Sequence, residues 1–503
     1  MPEARVNSDG TCAPRPRQLS LHRPNHYPEG LLNNSDPASI LTNPHYNKGT
    51  AFTAEERKVL HLEGLLPRMY ISQNDKGQIR RILDNWKPNV IGEVSIIVVT
   101  DGSRILGLGD LGACGMGIPV GKLSLYVAAG GFHPATTLPV VIDAGTNNQS
   151  LLKDEFYLGQ RQPRLADPEY YALVDEFMSA VKDKWSSALL QFEDFSNNHC
   201  FDLLEKYRNK QLCFNDDIQG TGAVIAAGFL NALKITKTLP RDCRILFLGA
   251  GAAGIGVADQ IGRGLQQRYN LSREECFPLF FMVDSKGLVT RHRGDELASF
   301  KVPYARQDIK ENVVDLLDIV KLVKPTALIG LSGQPGAFTN DVLRVMAAVN
   351  KKPIVFPLSN PTNKAECSFK DAFEISDGRV VFASGSPFDP ITSEGKTYVP
   401  SQGNNLYTFP GLGYGAWLCK AKKVTDEMVT AATLALADSA TAEDLESGCL
   451  YPCLSSVREI TATVAARVIQ CAIDQGVAGA NQLPKDLVRY VKRHRKSASE
   501  PEE

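Results

Sequence analysis

The sequence predicts a multi-domain α/β protein, and three observations lead there. Short β-branched runs alternate with helical stretches from about Asn85 onward, a texture that builds parallel sheets with helical crossovers. A glycine-rich turn joins one of these runs directly to a helix. The chain has 503 residues, and at about 150 residues per domain that is enough for roughly three domains with a sizeable core.

Taken in order, residues 1–50 are rich in Pro, Asn and His and read as irregular. FTAEERKVLHLEGLL then predicts a helix, with Thr53 as its cap and Glu56 three positions on, as in a capping box. VSIIVVTDG, TLPVVIDAGTNN, ALLQFEDF and QLCFNDDIQG form a first strand series, and PEYYALVDEFMSAVKDKW a helix within it. CRILFLGAGAAGIGVADQIG, FPLFFMVDSKG, ALIGLSG, KPIVFPLSNPT and RVVFASGSPF form a second series, hence a second parallel sheet. After Trp417 the pattern turns helical, in KKVTDEMVTAATLALADSA and VREITATVAARVIQCAIDQ, helices expected to pack back onto a neighbouring domain. The basic VKRHRKSASEPEE reads as a solvated end.

Composition narrows the partners. With 55 Lys+Arg against 56 Asp+Glu, no global field draws the chain to nucleic acid or to an anionic membrane. The hydrophobic share of 43% is too high for a disordered chain. Eleven cysteines without a CxxC pair favour reduced thiols, and Cys114, Cys200 and Cys213 read as core filler or bystanders rather than nucleophiles. No apolar run reaches the roughly 20 residues of a membrane span. The opening MPEARVNSDGTCAPRPRQ lacks the apolar stretch of a signal peptide, and its acids and prolines weigh against a transit peptide. The expected compartment is the cytoplasm, with an organelle matrix as the alternative.

RILFLGAGAAGIGVADQI sets Gly249, Gly251 and Gly254 in a GxGxxG pattern after a strand and at the start of a helix. Gly249 permits the tight turn, Gly251 the close approach of a pyrophosphate, and Gly254 close packing of helix on strand, while Ala252 and Ala253 open the helix whose free N–H groups meet phosphate. This predicts a Rossmann-like domain binding a dinucleotide. The next strand ends at Asp284, 35 residues after Gly249 where about 20 is usual, so the spacing does not assign NAD. Asp284 can accept from a ribose hydroxyl, whereas Ser285, Lys286, Arg291, Arg293 or Lys301 can take a 2′-phosphate.

Acids stand where the strands of the first series stop: Asp101, Asp143, Glu193 with Asp194, and Asp216 with Asp217. Ligands of open α/β sheets sit beyond the carboxyl ends of the strands, so Glu193, Asp194 and one of Asp216 and Asp217 make an all-oxygen set for Mg²⁺ or Mn²⁺. Arg104 can clamp a substrate carboxylate, and Lys122, amid apolar and glycine-rich chain, can lose its proton on burial and serve as a general base, with Asp216 tuning it. Asn360, Asn404 and Asn405 can offer amide bonds to substrate or nicotinamide, or simply form turns. Together these groups suit hydride removal from a 2-hydroxy acid and, where a carboxylate lies β to the new carbonyl, loss of CO₂ to an enol that must then be protonated.

At these residues the chain resembles the malic enzyme family, through NPHYNKGTAFTAEER, VVTDGSRILGLGDLGACGMGIPVGK, QFEDFSNNHCFDLL, FNDDIQGTGAV, ILFLGAGAAGIG, LSNPT, FASGSPF and QGNNLYTFPG, over about residues 40–490. The resemblance implies oxidative decarboxylation of (S)-malate to pyruvate and CO₂ with reduction of NADP, NAD being the narrower alternative. It implies that Glu193, Asp194 and Asp217 bind the metal, that Lys122 is the base supported by Asp216, and that Arg104, Asn360 and Asn405 line substrate and nicotinamide. The DSKG turn with Lys301 resembles members that use NADP. Implied too are homodimers or homotetramers, and a division into a helical region 1–69, a substrate and metal domain 70–215 completed by 405–475, a nucleotide domain 216–404, and a tail 476–503.

LHLEGLLPRMYISQNDKGQIRRILDNW departs from the family pattern. Members carry several dozen more residues between LLP and the YIS-like strand, with a Tyr-Thr-Pro-Thr-Val-Gly signature whose tyrosine is implied to protonate the enol. The signature is absent here, and nothing transfers its role to Tyr70. The resemblance therefore also admits a catalytically impaired, cofactor-binding or assembly subunit.

Overall fold

A computed structural model describes residues 54–62, 69–86, 93–480 and 482–495. The irregular first fifty residues and the Thr53 cap lie outside the described residues; the helix expected after that cap spans Ala54–Val59.

The first strand series forms one parallel sheet from β1 (Met69–Ser72), β2 (Ile96–Thr100), β3 (Thr137–Asp143), β4 (Leu189–Phe192) and β5 (Cys213–Asn215), in the order β1-β3-β2-β4-β5. Helices cover both faces, so β2 and β4 are buried at every residue, which is why their sequences run apolar without alternation. Lys122 is carried by α1 (Gly117–Leu125). On α2 (Asp167–Lys184), Tyr170, Leu173, Val174, Phe177 and Val181 recur at helical spacing and are buried. Asp167 and Glu169 in its first turn and Lys182 and Lys184 in its last complement the helix dipole.

From β5 the chain enters a π-helical turn, Asp216–Gly220, and continues as α3 (Thr221–Thr236), buried from Gly222 through Leu233. The expectation that no apolar run reaches the length of a membrane span is corrected: Asp216–Thr236 is long and apolar enough to cross one, but 83% of its 18-residue apolar window is buried inside the protein, as in a core helix. Against α3 lies α4 (Ala252–Tyr269), which follows β6 (Ile245–Leu248).

β6 is an interior strand of the second sheet, with β7 (Phe280–Asp284), β8 (Gly287–Leu288), β9 (Ala327–Gly330), β10 (Ile354–Pro357) and β11 (Val381–Ser384); a hairpin of β12 (Ile391–Ser393) and β13 (Lys396–Tyr398) precedes the edge strand β14 (Ser401–Gln402). The order is β14-β11-β10-β9-β6-β7-β8, parallel except for β7 and β8. The chain passes from β6 to β7 on one side and then returns to β9 on the other, and the switch point between β6 and β9 is where such sheets open a ligand crevice.

The helices after this sheet, α5 (Phe409–Leu418), α6 (Asp426–Ser439) and α7 (Val457–Asp474), pack back as expected. One core joins Ile96 and Leu189 of the first sheet, Phe229 of α3, Phe247 and Phe280 of the second sheet, and Leu412 and Val464 of α5 and α7. The expected solvated tail is corrected in part. Its beginning is a helix, α8 (Leu487–His494), which buries Leu487 and Val491 against that core and keeps Lys492, Arg493 and His494 in its last turn.

Candidate active site

The carboxyl ends of β4 and β5 carry the acids. Glu193 and Asp194 follow β4; Asp216 and Asp217 open the π-helical turn after β5, where Asn215 caps by accepting from the Ile218 amide. The turn brings in Asp217, whose Oδ2 accepts from the Asp194 amide at 2.8 Å. One ligand oxygen each from Glu193, Asp194 and Asp217 lie within 4.8 Å of one another.

Glu193 and Asp194 are buried and Asp217 is half-buried, and loss of solvation first, then mutual repulsion, pushes their pKa values up: Glu193 well above the carboxylate range, Asp194 up to about 8 beside Asp217, and Asp217 upward despite Lys122. Asp194 Oδ2 is buried with no hydrogen-bond partner. An all-oxygen set with surplus negative charge and an orphaned oxygen fits a hard divalent cation, which would supply the missing charge. Glu193, Asp194 and Asp217 would hold it.

Lys122 faces this cluster from α1. Its Nζ donates to Asp216 Oδ2 and lies 3.0 Å from Glu193 Oε1. The expectation that burial frees its proton needs correction. Burial does disfavour the ammonium, but Asp216 and Glu193 outweigh it and hold the proton above the ordinary lysine range. Asp216 is itself held by Asn405, whose Nδ2 donates to Asp216 Oδ2 at 3.1 Å and to Thr221 Oγ1 at 3.0 Å. Asn405 therefore reaches the lysine's partner, while Asn404 caps the following turn by accepting from Leu406 N.

Arg104 lines two cavities. The smaller, about 160 Å³, is bounded also by Asp194, Asp217, Thr221 and Asn360. The larger, about 850 Å³, is bounded by Gly249 and Gly251 after β6, Asp284 and Ser285 after β7, Lys301, and Leu331 and Ser332 after β9. Ala253 of the predicted cofactor set lines the smaller cavity. Gly249 has φ +118°, and a Cβ there would come within 2.6 Å of Leu331 O, so the turn needs glycine. A Cβ on Gly254 would lie 2.0 Å from Gly249 O. The packing thus accounts for Gly249 and Gly254, while a Cβ on Gly251 would meet Asn197 only at ordinary contact distance, 3.4 Å. Asn360, before a cis peptide bond to Pro361, accepts from Ser386 Oγ at 2.6 Å and lies against Gly107 of the Arg104 loop.

Asp284 is not free to face a ribose alone. Arg293 pairs with it through both nitrogens at 2.9 Å and Lys301 at 2.7 Å. Burial opposes the charge, but Arg293 and Lys301 prevail and hold its pKa down at about 2. The pocket edge thus presents Asp284 and Lys301, with Arg293 pairing to Asp284 beside them.

Several residues at the site carry no sequence signal of their own. Asn197 Oδ1 accepts from Arg104 Nη1 at 2.9 Å and from Ala252 N at 3.4 Å, joining the two cavities. Gln191 Nε2 donates to Glu193 Oε2 at 2.7 Å, and Tyr126 Oη donates to Gln191 Oε1. Only their proximity to QFED and to Lys122 could have drawn notice. Cys200 and Cys213 are buried, with burial pushing their thiols up to about 12, as core filler requires. Tyr70 donates to Asp143 Oδ2 at 2.6 Å on the edge strand β1. The strand order puts three spacings, about 14 Å, between β1 and β4.

A dinucleotide crevice at a sheet's switch point, meeting a carboxylate cluster with a lysine across a shared arginine, defines a metal-dependent oxidoreductase of the dehydrogenase class. Comparison with known proteins makes the group specific. The profile "Malic enzyme, N-terminal domain" matches residues 58–208, and "Malic enzyme, NAD binding domain" matches 218–473. The chain belongs to the malic enzyme family. It is 47% identical to an NADP-dependent malic enzyme of Dictyostelium discoideum over 89% of this chain and 95% of that one. It is 43% identical to a chloroplastic NADP-dependent malic enzyme of Flaveria pringlei over 90% and 81%. Among solved structures, malic enzyme of Entamoeba histolytica matches with TM-score 0.63 at 24% identity over 90% and 81% of the two chains, a likeness of fold.

Proposed function

We propose that this chain carries out metal-dependent oxidative decarboxylation of malate with NADP as oxidant. The observation that carries the reading is the placement of Lys122, bound by Asp216 and Glu193, at a three-carboxylate cluster whose cavity shares Arg104 with the dinucleotide crevice. Arg104 binds a malate carboxylate by paired N–H donors. Lys122 Nζ takes the C2 hydroxyl proton as hydride leaves C2, and Asp216, oriented by Asn405, stabilises the ammonium that results. A divalent ion held by Glu193, Asp194 and Asp217 would supply charge to offset the C2 oxygen and to weaken the carboxylates' hold on the lysine proton, and a nicotinamide in the crevice would supply the hydride acceptor. The C3–C4 bond then breaks and CO₂ departs with C4, leaving an enolate whose oxygen takes back the proton from Lys122 Nζ; the enol takes a proton at C3 as its hydroxyl proton returns to Lys122, giving pyruvate. Arg293 and Lys301 favour NADP over NAD by offering cations to a 2′-phosphate. Homo-oligomeric assembly belongs to the same reading.

A second reading, of impaired turnover, rests on the source of that last proton. The alignment with the Dictyostelium relative extends over 525 positions, more than the 503 residues here, so the relative carries residues opposite a gap in this chain. Tyr70, beside LLP in sequence, is engaged by Asp143.

Malate-dependent NADPH formation with Mn²⁺, measured with pyruvate release and repeated with NAD, tests both. Folded, metal-loaded protein with no detectable NADPH formation would exclude turnover, and binding of NADPH in that protein would leave the silent-subunit reading. Faster reduction of NAD than of NADP would overturn the cofactor assignment.

A further inference from the structure

Glu366 lies outside every motif used so far, yet it is fully buried, and no lysine, arginine or histidine pairs with it among the described residues. It is held by neutral donors from two loops. After β9, Ser332 gives Glu366 Oε1 its amide at 3.0 Å and its hydroxyl at 3.2 Å. After β10, Ser359 gives Oε1 its hydroxyl at 2.5 Å and Oε2 its amide at 3.4 Å. The loops are also tied directly, Gly333 N donating to Ser359 Oγ at 2.8 Å. Gly330, the last residue of β9, makes room for the group: a Cβ there would lie 2.4 Å from Glu366 Cδ.

The loop after β9 borders both cavities and the loop after β10 borders one. Leu331, Ser332 and Gln334 line the dinucleotide crevice, while Leu331 and Gly333, with Ser359 and Asn360 after β10, line the smaller cavity beside the carboxylate cluster. Asn360 in turn abuts Gly107 in the loop of Arg104. We infer that Glu366 is a positioning residue that fixes the cofactor wall against the substrate wall, so that the state of one cavity sets the geometry of the other. The inference rests on the reading of these cavities as sites for NADP and malate. A buried acceptor of four bonds is costly to remove, since each orphaned donor loses its partner away from water. The loops must then separate or admit water, and both cavities lose their shape together. The pattern needs an oxygen at Oε1, where three of the four bonds fall, so glutamine at 366 can keep them.

Glu366→Leu, Glu366→Gln and Ser359→Ala test this. In the ligand-free chain, hydrogen–deuterium exchange is expected to rise in peptides covering Ser332–Gln334 and Ser359–Asn360 for Glu366→Leu and to stay near wild type for Glu366→Gln. NADPH affinity, read by its fluorescence, and malate KM are each expected to worsen about 10-fold in Glu366→Leu and to stay within about 3-fold in Glu366→Gln. Should Glu366→Leu not fold, Ser359→Ala carries the test, with faster exchange at Gly333 and a raised malate KM as the expected result. Unchanged exchange in both loops, or a lowered melting temperature with NADPH affinity and KM intact, would overturn the inference. Wild-type protein that fails to bind NADPH would instead overturn the functional reading, because exchange in the ligand-free chain tests Glu366 without it.

Discussion

Gln191 and Asp284 show how a neighbouring side chain can set what a site residue does. Gln191 is fully buried, and its amide can be satisfied in one sense only. Nε2 must face the Glu193 carboxylate, which accepts, so Oε1 must face Tyr126, which donates. Glu193 is thereby fixed in rotation with Oε1 toward Lys122. Replacing such a partner of a ligand typically costs about 10–100-fold in metal affinity. Gln191→Leu is expected to weaken Mn²⁺ binding, measured by titration calorimetry or electron paramagnetic resonance on the isolated chain, by about that factor; unchanged affinity would show that Glu193 is oriented by Lys122 alone. Asp284 makes a prediction in pH. Its folded pKa, about 2, lies below the ordinary 3.8, so its ion pairs stabilise the fold fully above pH 3.8 and cease to do so as pH falls through about 2. Asp284→Asn should lose about 1 kcal/mol near neutrality, a figure allowing for solvent screening. In urea unfolding from pH 5 downward, the gap between variant and wild type should narrow toward pH 2. A gap that widens on acidification would contradict the assignment.

At the scale of elements, the site depends on a single π-helical turn between β5 and α3. The wider turn inserts one residue's worth of backbone, and π turns of this kind recur at functional sites. Asp216 faces Lys122 and Asp217 faces Asp194, although the two are adjacent in sequence. The turn closes on Gly220, where a Cβ would fall 1.7 Å from Asp216 Oδ1. Gly220→Ala is expected to swing the Asp216 carboxylate off Lys122 while α3, anchored by buried residues from Ala223 to Leu233, stays in place. A misplacement of that size costs about 100-fold in kcat, with NADPH affinity unchanged because the crevice after β6 is untouched. Wild-type kcat would show that Asp216 does not support the lysine. The strands, by contrast, were readable beforehand, since burial on both faces forces apolar runs and their carboxyl ends are marked by acids. What was not readable is contact between distant residues: Tyr126 and Gln191 are 65 positions apart and Ser332 and Glu366 are 34 apart, and no local pattern announces either pair. Lys122 was legible as a residue but not in its protonation, because burial and its carboxylate neighbours act in opposite directions and only their geometry says which prevails.

For the whole molecule, the question raised by the second proposed reading is whether a chain with both cavities formed, but without the tyrosine-bearing segment that the family resemblance implies, completes the reaction. In the reaction proposed above, hydride transfer and C3–C4 cleavage would draw on Arg104, Lys122, Asp216 and the metal set, all assembled from β2 to α3. Protonation of the enol at C3 draws on an acid that Tyr70, on the far edge strand with burial and Asp143 holding its proton well above the usual phenol range, does not supply. A positioned acid contributes about 10²–10⁴-fold, so kcat should be lower by that order than in a variant with a tyrosine-bearing segment of the family's kind inserted between Pro67 and Tyr70, while NADPH and Mn²⁺ affinities stay equal. Stereochemistry separates a missing acid from a merely slow enzyme. With malate labelled stereospecifically at C3, in isotopically labelled water, a positioned acid delivers its proton to one face and gives a single configuration of the pyruvate methyl group. An enol protonated by solvent is attacked on both faces and gives a racemic one. The chain as it stands is expected to give the racemic methyl and the insertion variant the single configuration; a single configuration from both would place the acid among the residues already present.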